Sequence, residues 1–481
     1  MKILHISPEL ASIAKVGGLA DVVFGLSKEF LRMGHFLSIL LPKYNFFEKD
    51  DRLKNLQTKL EFSLPFPFDR CKTRAWTANY EGIPLYLLEI VNLKSLYSDI
   101  YSSGDEEKKR FLIFSKAAAE FLIKSDLDID VIHLHDWPTA VFAPLWKKQG
   151  KKDTAVLLTM HNLQYQGHCS LQQAQAIIDN NTEILNAMKE SYDSDKINLL
   201  KGGILYADML TTVSPTYAEE IQHTDKGYGL EKILQKKNSK LHGILNGIDY
   251  HFWNPETDPF LFKNFPTDPL EKLLEGKKEN RFKLLEKLQM KEEARSPLFA
   301  CISRMVYQKG PEMIIHAVRH VVEKGGKFIL LGSPPEPHYK GAFEELSKEL
   351  EGHPRAYLHF NYNEALAHRI YASSDFLLIP SIFEPCGLTQ MIALRYGSLP
   401  IVRSTGGLSD TIRDGENGLA FEHPEISDMM KALNRAFQIF AEIGKLHDMI
   451  RKGSKCDYSW KASAKKYLQL YKSLMSCRKN R

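Results

Sequence analysis

The chain has 481 residues, of which 43% are hydrophobic, and a formal net charge of +5. This length exceeds that of one ordinary domain, so we expect two or three globular domains. The small charge excess argues against a nucleic-acid-binding or membrane-surface protein, and no apolar run reaches the ~20 residues that a spanning helix needs. Because His5, Pro8 and Glu9 interrupt any signal-like core, we expect a cytoplasmic protein.

The six cysteines are widely scattered and form no C-x-x-C pair. This pattern predicts free thiols in a reducing compartment, and it indicates neither a disulfide framework nor a zinc site. Cys386 has two interpretations. Its thiol could be reactive if a helix N-terminus lowers its pKa, or the residue could contribute only its backbone.

The first 42 residues predict a βαβ unit. A strand at 1–6 leads through a loop to a helix at 19–33, and Gly34 ends that helix before a strand at 36–41. The loop carries Lys15-Val-Gly-Gly. A glycine pair lets a phosphate approach the backbone, and Lys15 adds a mobile positive charge. Tight packing of the turn without any ligand is the alternative.

Two later strands of the first half end in polar residues. We predict strands at 131–135 and 155–160, and Asp136 and His161 follow them directly. Ligands of open α/β sheets bind at this edge, so both residues are site candidates, although each could instead satisfy local backbone groups. The remaining elements predicted for this half are strands at 60–62, 73–79, 85–89, 207–213 and 242–245 and helices at 111–124 and 215–223.

His133 and His135 share one face of their strand, and Asp136 follows them, which invites a metal-site interpretation. No carboxylate–histidine pair stands out to support metal ligands there. We therefore predict no metal site.

The second half repeats the alternation of strands and helices after a proline-rich linker at 255–269. This alternation predicts a second doubly wound α/β domain, and a cleft between two such domains is a usual ligand site. The match of Gly17-Gly-Leu-Ala-Asp21 to Gly406-Gly-Leu-Ser-Asp410 gives weak further support. The predicted strands are 299–302, 328–331, 356–360, 376–379 and 399–402, and the predicted helices are 282–288, 311–322, 364–373, 388–396 and 462–473.

Glu384 is the unusual residue of the second half. It lies on the polar turn 381–387, between a buried strand and a helix whose first N–H groups form an anion site. Its carboxylate could accept hydrogen bonds from a sugar or stabilise positive charge at a reacting carbon. The alternative is a carboxylate that only caps the helix.

Taken together, the motifs resemble those of the bacterial glycogen synthase and plant starch synthase family. They follow one another in family order along the whole chain. The matching segments are KVGGLADVV, HLHDW, TMHNLQYQG, ADMLTTVSPTYAEEI, LNGIDYHFWNPETD, SRMVYQKG, YNEALAHRIYASSD, PSIFEPCGLTQMIALRYGSLPIV and TGGLSDTI.

The resemblance implies a retaining glycosyltransferase with two Rossmann-like domains. It implies an N-terminal acceptor-side domain at 1–247, a nucleotide-sugar domain at 248–458, and a final helix at 459–481 that crosses back to the first domain. The implied reaction moves glucose from a sugar nucleotide to the non-reducing end of an α-1,4-glucan, without a metal or other cofactor. Precedent in bacteria favours ADP-glucose as the donor, with UDP-glucose as the alternative.

The resemblance also implies roles for individual residues. Glu384 matches the essential glutamate, which would stabilise the transition state, orient the sugar or attack it, and Asp136 would orient the reacting sugar or acceptor. The positions implied to hold the donor are Arg304, Lys309, Lys15, Gly18, Gly387, Leu388 and Thr389 near its phosphates, His161 and Asn246 at its sugar, Tyr362 at its base, and Asp21, Asn162, Ser303 and Cys386 beside them.

Three other functions compete with this one. A glycosidase could use Asp136 and Glu384 as a carboxylate pair, but that leaves Arg304 and Lys309 without a role. A nucleotide-dependent oxidoreductase would be expected to carry G-x-G-x-x-G, which is missing. A catalytically silent glucan-binding protein is the third. Two segments depart from the family pattern, namely the proline-rich loop after Gly332 and the stretch 172–195.

Overall fold

A computed structural model of the chain describes residues 1–53, 56–64, 71–102, 104–150, 154–178, 181–291, 293 and 296–479. Short 3₁₀ turns aside, it consists of strands and α-helices numbered here in chain order. The strands are β1 (Lys2–Ile6), β2 (Phe36–Pro42), β3 (Gln57–Leu64), β4 (Cys71–Tyr80), β5 (Ile83–Ile90), β6 (Val131–His135), β7 (Ala155–Met160), β8 (His168–Ser170), β9 (Lys196–Asn198), β10 (Met209–Thr212), β11 (Leu241–Gly243), β12 (Leu298–Ile302), β13 (Lys327–Leu331), β14 (Ala356–His359), β15 (Phe376–Ile379), β16 (Leu399–Arg403) and β17 (Leu419–Phe421). The helices are α1 (Gly18–Arg32), α2 (Asp105–Lys124), α3 (Trp137–Ala140), α4 (Phe142–Lys148), α5 (Leu171–Ile177), α6 (Thr182–Met188), α7 (Leu199–Tyr206), α8 (Pro215–His223), α9 (Glu231–Lys236), α10 (Leu270–Lys287), α11 (Pro311–Glu323), α12 (Pro337–Glu349), α13 (Glu364–Ser373), α14 (Thr389–Arg395), α15 (Gly406–Thr411), α16 (Ile426–Ala441), α17 (Ile443–Ser454) and α18 (Trp460–Lys479).

The chain divides into two compact units. Unit 1 contains Met1–Val213, Ala218–Ile244 and the chain from Trp460 onward. Unit 2 contains Ser214–Tyr217 and Leu245–Ser459. Each unit is built on its own sheet, so the α/β class with doubly wound sheets is confirmed.

Unit 1 contains a nine-stranded sheet in the order β11-β10-β7-β6-β1-β2-β5-β4-β3. The seven strands from β11 to β5 pair in parallel, and β4 and β3 extend that sheet as antiparallel hairpins. The central strands β6 and β7 are buried along their whole length. Largely apolar segments are typical of parallel strands covered on both faces, and this explains why the limits of β6 and β7 were predicted correctly.

Unit 2 contains a six-stranded sheet in the order β14-β13-β12-β15-β16-β17, with every pairing parallel. From its first strand, β12, the chain passes outward to β13 and β14, then returns to β15 on the other side. This is the 3-2-1-4-5-6 order of the dinucleotide-binding α/β fold. In unit 1 the strands β5-β2-β1-β6-β7-β10 follow the same order.

Helix α18 belongs to unit 1, although all of unit 2 precedes it in the sequence. Its first residue, Trp460, is buried with its ring against Gly25 of α1, where a Cβ atom would lie 2.3 Å from the indole nitrogen. Its Tyr471 packs against Phe30 with 5.4 Å between ring centroids. The helix therefore forms part of the hydrophobic core of unit 1.

Several predicted elements differ from the structure. Helix α10 begins at Leu270, far before the predicted start at 282, because Pro269 is its N-cap and permits a helix to follow. The stretch 172–195 contains most of α5 and all of α6, and the paired strands β8 and β9 flank it. Residues 179–180 of this stretch lie outside the described chain. Helices α16 and α17 were not predicted. None of the described helices is both long enough and apolar enough to cross a membrane.

The two Gly-Gly-Leu-x-Asp motifs each begin a helix, as predicted, but they are not equivalent. The first leads into α1 after the first strand of its sheet, whereas the second leads into α15 after β16, the fifth strand of its sheet. The motif match is therefore not a sign of an internal repeat. The repetition lies in the strand order.

Candidate active site

In unit 2 the strand order reverses between β12 and β15. Ser303 and Arg304 follow β12 directly, and the turn carrying Glu384 follows β15. Since the two strands are parallel neighbours, these segments leave the sheet at the same edge. Ligands of open α/β sheets bind at the carboxyl ends of strands where the order reverses. This edge of unit 2 is therefore a candidate ligand site.

Glu384 is 6% exposed and forms part of a tight ionic contact. Its Oε2 accepts a hydrogen bond of 2.8 Å from Ser381 Oγ and one from the Lys309 ammonium group. Lys309 precedes Gly310, whose φ is +65° and where a Cβ atom would lie 2.4 Å from the Pro380 carbonyl oxygen. Only glycine permits this approach, which brings the Lys309 loop against the Glu384 turn.

The Glu384 carboxylate does not cap the following helix. Helix α14 has Leu388 at its N-cap, begins at Thr389, and has no side-chain cap. The capping interpretation of Glu384 is therefore wrong. In the same turn Gly387 has a φ of +76°, and burial raises the pKa of the Cys386 thiol to about 12. The interpretation of Cys386 as a reactive thiol is therefore wrong as well.

A second pair of glycines supports the Glu384 turn. A Cβ atom at Gly406 would lie 2.0 Å from the Glu384 carbonyl oxygen, and one at Gly407 would lie 2.2 Å from that of Cys386. The Gly407 N–H donates to the Glu384 carbonyl at 3.1 Å. The backbone that presents Glu384 thus rests directly on α15. The sequence analysis noted these glycines only as part of a repeated motif and missed this role.

The other predicted residues of unit 2 are placed separately. Asn246 is buried, and its Oδ1 has no hydrogen-bond partner in the described part of the chain, while its backbone N–H points to the Cys386 thiol. Tyr362 is 74% exposed, and its hydroxyl contacts Glu364. Arg304 is exposed. Among the described residues of this set, Lys309 and Glu384 are joined by a side-chain hydrogen bond.

In unit 1 the strand order reverses between β1 and β6, and the loop after β1 carries Lys15. Glu9, 3% exposed, fixes this loop by accepting hydrogen bonds from the backbone N–H groups of Val16 at 2.7 Å and Gly17 at 2.9 Å. The Tyr101 hydroxyl donates to the same carboxylate at 2.8 Å. Glu9 was not predicted as a site residue, because the residues around it in the sequence do not indicate these contacts.

Lys15 and Gly18 lie exposed at the start of α1. The Lys15 ammonium group pairs with the Asp21 carboxylate at 2.8 Å. A Cβ atom at Gly18 would meet no described protein atom within 4 Å, and the same holds for Gly17. Packing inside the protein therefore does not require glycine there, which weakens the tight-turn interpretation and leaves room for a ligand against the backbone.

Asp136 occupies the reversal point at the end of β6. It is buried, and its φ of +59° is rare for a residue with a side chain. Its carboxylate accepts a 3.0 Å hydrogen bond from the His161 N–H and another from the Asn162 N–H. Burial is the largest influence and raises the pKa of this carboxyl to about 7, although both hydrogen bonds act in the opposite direction. The structure thus brings the three predicted residues of this edge together.

A chain of buried histidines supports His161 from behind. His161 Nε2 lies 3.2 Å from His135 Nδ1, and His135 Nε2 lies 3.1 Å from Nδ1 of His5 on β1. Burial lowers the pKa of His5 and of His161 to about 3 and that of His135 well below its usual value, so all three rings are neutral at physiological pH.

His5, His133 and His135 each offer a ring nitrogen within 4.8 Å of the others, so among the described residues they form a cluster that could hold a metal ion. His133, however, already uses both of its nitrogens, with Tyr471 Oη at 2.7 Å from Nδ1 and Thr159 Oγ1 at 2.6 Å from Nε2. A metal would have to displace one of these bonds. Asp136, which the sequence analysis had weighed with His133 and His135, is not in this cluster.

The two edges offer different chemistry. Unit 2 presents Lys309 in contact with a buried carboxylate, and Arg304 exposed at the same sheet edge. This combination can stabilise a departing anion and positive charge on the group it leaves. Unit 1 presents a carboxyl of raised pKa and a neutral imidazole, Asp136 and His161, which suit hydrogen bonds with hydroxyl groups.

Comparison with known proteins gives two family matches and many relatives. Residues 2–236 match the starch synthase catalytic domain, and residues 284–455 match the glycosyl transferases of group 1. The chain is 41% identical to the glycogen synthase of Protochlamydia amoebophila, covering 98% of this chain and 99% of that protein. It is 36% identical to glycogen synthase 2 of Methylococcus capsulatus, covering 97% of this chain and 99% of that protein.

Among solved structures, the catalytic domain of starch synthase IV from Arabidopsis thaliana, bound to ADP and acarbose, superimposes with a TM-score of 0.89. The two chains are 39% identical, and the alignment covers 99% of each. Full-length identity of this degree, together with two doubly wound sheets of the same strand order, shows that the chain belongs to the glycogen and starch synthase family of glycosyltransferases.

Proposed function

We propose that this enzyme transfers glucose from ADP-glucose to the non-reducing end of an α-1,4-glucan, with retention of configuration, in glycogen synthesis. The observation that carries the proposal is the contact of Lys309 with the buried Glu384 at the strand-order reversal of unit 2. The related starch synthase IV binds ADP and acarbose, which supports an adenine nucleotide and a glucan-like acceptor. The proposed setting is the cytoplasm.

In the proposed reaction the bond between glucose C1 and the diphosphate oxygen breaks, and a bond from C1 to an acceptor hydroxyl oxygen forms. The hydroxyl proton passes to the departing phosphate. Arg304 would fork onto phosphate oxygens and Lys309 would act as a point charge, so both would stabilise the growing negative charge. The growing negative charge would also be stabilised by Lys15, by the backbone at Gly18 and by the first N–H groups of α14.

Glu384 would stabilise the positive charge that develops on the glucosyl ring as the bond to phosphate breaks. Its burial strengthens this effect, because a charge acts over a longer range where water is excluded. The hydrogen bonds from Ser381 and Lys309 hold the carboxylate in one orientation. Lys309 would thus serve the carboxylate and the phosphate together.

Neutral hydrogen-bonding groups would hold the sugar. Asn246 is suited to a sugar hydroxyl because its buried Oδ1 has no partner in the described chain. His161, Asn162 and Asp136 would bind hydroxyl groups of the donor or acceptor, and the exposed ring of Tyr362 would stack on the base. In this proposal residues 1–247 serve the acceptor side, residues 248–458 bind the nucleotide sugar, and the helix from 459 completes the first domain.

A side-by-side assay tests the proposal. The enzyme is incubated with glycogen and glucose-labelled ADP-glucose or UDP-glucose, and polymer-bound and free glucose are measured separately. We expect label in the polymer, with ADP-glucose the better donor. Preference for UDP-glucose would overturn the choice of nucleotide. Release of free glucose would indicate a hydrolase, and binding without turnover would indicate a glucan-binding protein.

The Glu384→Gln variant tests the role of the carboxylate within this assay. Because the amide has the same shape without the charge, we expect kcat to fall by about two to three orders of magnitude while the KM for the donor changes little. Glu351→Gln, at an exposed carboxylate outside the turn, is the matched control for charge removal in the same unit. Undiminished kcat in Glu384→Gln would remove this residue from the mechanism.

A further inference from the structure

The chain of buried histidines behind His161 constrains which of its nitrogens carries the proton. A neutral imidazole has one N–H and one acceptor nitrogen, and each contact in the chain needs a donor facing an acceptor. The contacts are His5 Nδ1 to His135 Nε2 and His135 Nδ1 to His161 Nε2. The three tautomers are therefore linked, and only two proton arrangements satisfy both contacts.

In the first arrangement every ring is protonated on Nδ1. His5 then donates to His135, His135 donates to His161, and His161 has a free Nδ1–H. In the second arrangement every ring is protonated on Nε2, so the donation runs from His161 towards His5. That arrangement gives His161 a bare Nδ1, which can only accept a hydrogen bond.

The far end of the chain separates the two arrangements. His5 is 0% exposed, and its Nε2 has no hydrogen-bond partner within the described ranges. The second arrangement would leave a donor N–H buried at that position, whereas the first leaves only a lone pair. Orphaned buried N–H groups are rarer in proteins than under-satisfied acceptors, so the first arrangement is favoured.

We propose that His5 and His135 are positioning residues that keep the proton of His161 on Nδ1, so that His161 acts as a hydrogen-bond donor to a sugar hydroxyl oxygen. The inference rests on the proposed function for its substrate, but its physical content is a property of the protein alone. His135 is held in place for this task by its Nδ1 and Nε2 contacts and by stacking on His133, with 4.2 Å between ring centroids.

The tautomer of His161 can be measured directly in the full-length wild-type enzyme. Ring-nitrogen chemical shifts of ¹⁵N-histidine enzyme distinguish a protonated from a bare nitrogen, and the His161→Ala spectrum assigns the signals by difference. We expect a protonated Nδ1 and a bare Nε2. A protonated Nε2, or a mixture of both tautomers, would overturn the inference whatever the variants below show.

Variants at His135 supply the kinetic test. His135→Asn keeps an amide that can donate from the position of Nδ1, whereas His135→Leu keeps the bulk and removes the donor. We expect kcat to fall about tenfold or more in the leucine variant and to stay within about threefold of wild type in the asparagine variant, with little change in KM for ADP-glucose. Equal losses in both variants would contradict a donor role for His135.

A control variant distinguishes the contacts among His5, His135 and His161 from those of the neighbouring His133. Tyr471→Phe removes the partner of His133 but leaves the contacts among His5, His135 and His161 in place. We expect the His161 nitrogen shifts to be unchanged in this variant, and a tautomer shift there would contradict the proposed path. If wild-type enzyme transfers no glucose at all, the proposed function fails, while the tautomer measurement still decides the present inference.

Discussion

Asp136 combines three unusual properties in one residue. It is buried, its φ is positive, and its pKa is raised to about 7 by burial. The hydrogen bonds from two consecutive N–H groups, those of His161 and Asn162, oppose this rise and hold the carboxyl in one orientation. A strained, poorly solvated carboxyl at the end of a central strand costs stability, and such costs concentrate at functional sites.

The raised pKa predicts how activity depends on pH. If the carboxylate must accept a sugar hydroxyl, kcat/KM should rise as pH increases through about 7 and level off above it. In Asp136→Asn this limb should vanish, leaving a low and flat profile. Profiles of both enzymes between pH 5.5 and 8.5, a range of about three pH units, provide the measurement. An unchanged acidic limb in the variant would assign that limb to another group.

The same pKa predicts an effect on stability with a definite sign. Between the ordinary pKa of 3.8 and the folded value of about 7, the folded protein binds the Asp136 proton more tightly than the unfolded chain. The contribution of this group to unfolding free energy therefore falls as pH rises through that window. Denaturant unfolding at pH 8 should show Asp136→Asn to be more stable than wild type, and the gain should shrink towards pH 5. A less stable variant at pH 8 would contradict burial as the dominant influence.

At the scale of elements, the two glycine pairs look alike in sequence and differ in structure. Gly406 lies against the Glu384 carbonyl, and its φ is +45°, while Gly18 faces open space. At Gly406 the protein's own backbone requires glycine, because a side chain there would collide with the Glu384 carbonyl group. At Gly18 the protein's own packing requires no glycine, so any such requirement would have to come from a ligand.

This difference predicts that alanine at Gly406 changes mainly kcat, whereas alanine at Gly18 changes mainly KM. Gly406→Ala must displace the backbone of the Glu384 turn, so we expect kcat to fall by about 100-fold with a loss of stability of about 1–3 kcal/mol. Gly18→Ala should fold with unchanged stability but raise the KM for ADP-glucose several-fold. Thermal unfolding and steady-state kinetics of both variants provide the test. An unchanged KM in Gly18→Ala would restore the interpretation that no phosphate approaches this backbone.

Helix α10 carries Lys277, a buried lysine with several hydrogen bonds. The Lys277 ammonium group donates to the carbonyl oxygens of Ser374 at 2.9 Å and Tyr396 at 3.2 Å and to the Ser398 hydroxyl at 3.0 Å. It also reaches the Tyr371 carbonyl oxygen at 3.3 Å. The lysine thus joins α10 to the chain around α13 and α14.

Replacing Lys277 by methionine keeps the aliphatic stem and removes every one of these hydrogen bonds. Because buried carbonyl groups lose their partner, we expect the unfolding free energy of unit 2 to fall by about 2–4 kcal/mol. Lys278→Met, at the exposed next residue of the same helix, is the matched control and should change it by less than about 0.5 kcal/mol. Equal effects of the two substitutions in denaturant unfolding would contradict a structural role for Lys277.

The elements that sequence predicted well are those determined by local pattern. The buried strands β6, β7 and β15 are short, largely apolar segments followed by polar residues, and their limits were predicted residue for residue. The polar residues just after them, Asp136 and Glu384, could be chosen as candidates because strand ends meet at one sheet edge. Local pattern did not reveal the first part of α10, which begins after Pro269 and packs on α13.

The contacts that shape the site were beyond the sequence analysis because they join distant segments. Glu9 acts on a loop seven and eight residues away, as the intervals from Glu9 to Val16 and Gly17 show, and Gly406 acts on Glu384 through a backbone approach. His5 meets His135 only because β1 and β6 are neighbours in the sheet. These pairings cannot be predicted from residue type and spacing along the chain.

At the scale of the whole molecule, each unit places similar chemistry at equivalent points of the same strand order. After the first strand comes a lysine before a helix, Lys15 in unit 1 and Lys309 in unit 2. At the end of the fourth strand comes a carboxylate, Asp136 in unit 1 and Glu384 in unit 2. The fold therefore offers a cation and a carboxyl at both reversal points, and local burial decides how each carboxyl is used.

The last helix, α18, returns to unit 1 and completes its core. Trp460 is buried against Gly25 of α1, and Tyr471 of the same helix bonds His133 in the layer behind the candidate site. Without α18, one face of the unit 1 sheet would lose both its apolar cover and a partner for a buried imidazole. The stability of unit 1 therefore depends on residues that are made after unit 2.

This dependence can be tested with Trp460→Ala, for which we expect a loss of about 3–5 kcal/mol, as for other large buried aromatic residues. Hydrogen exchange followed by mass spectrometry should show faster exchange in peptides of β1, α1 and β6, with little change in β12, β13 and β15. Phe36→Ala removes an aromatic ring that is 73% exposed in the same unit and should leave all of these rates unchanged. Faster exchange confined to the unit 2 strands in Trp460→Ala would mean that α18 stabilises the other unit instead, because protection follows the unit whose core a side chain fills.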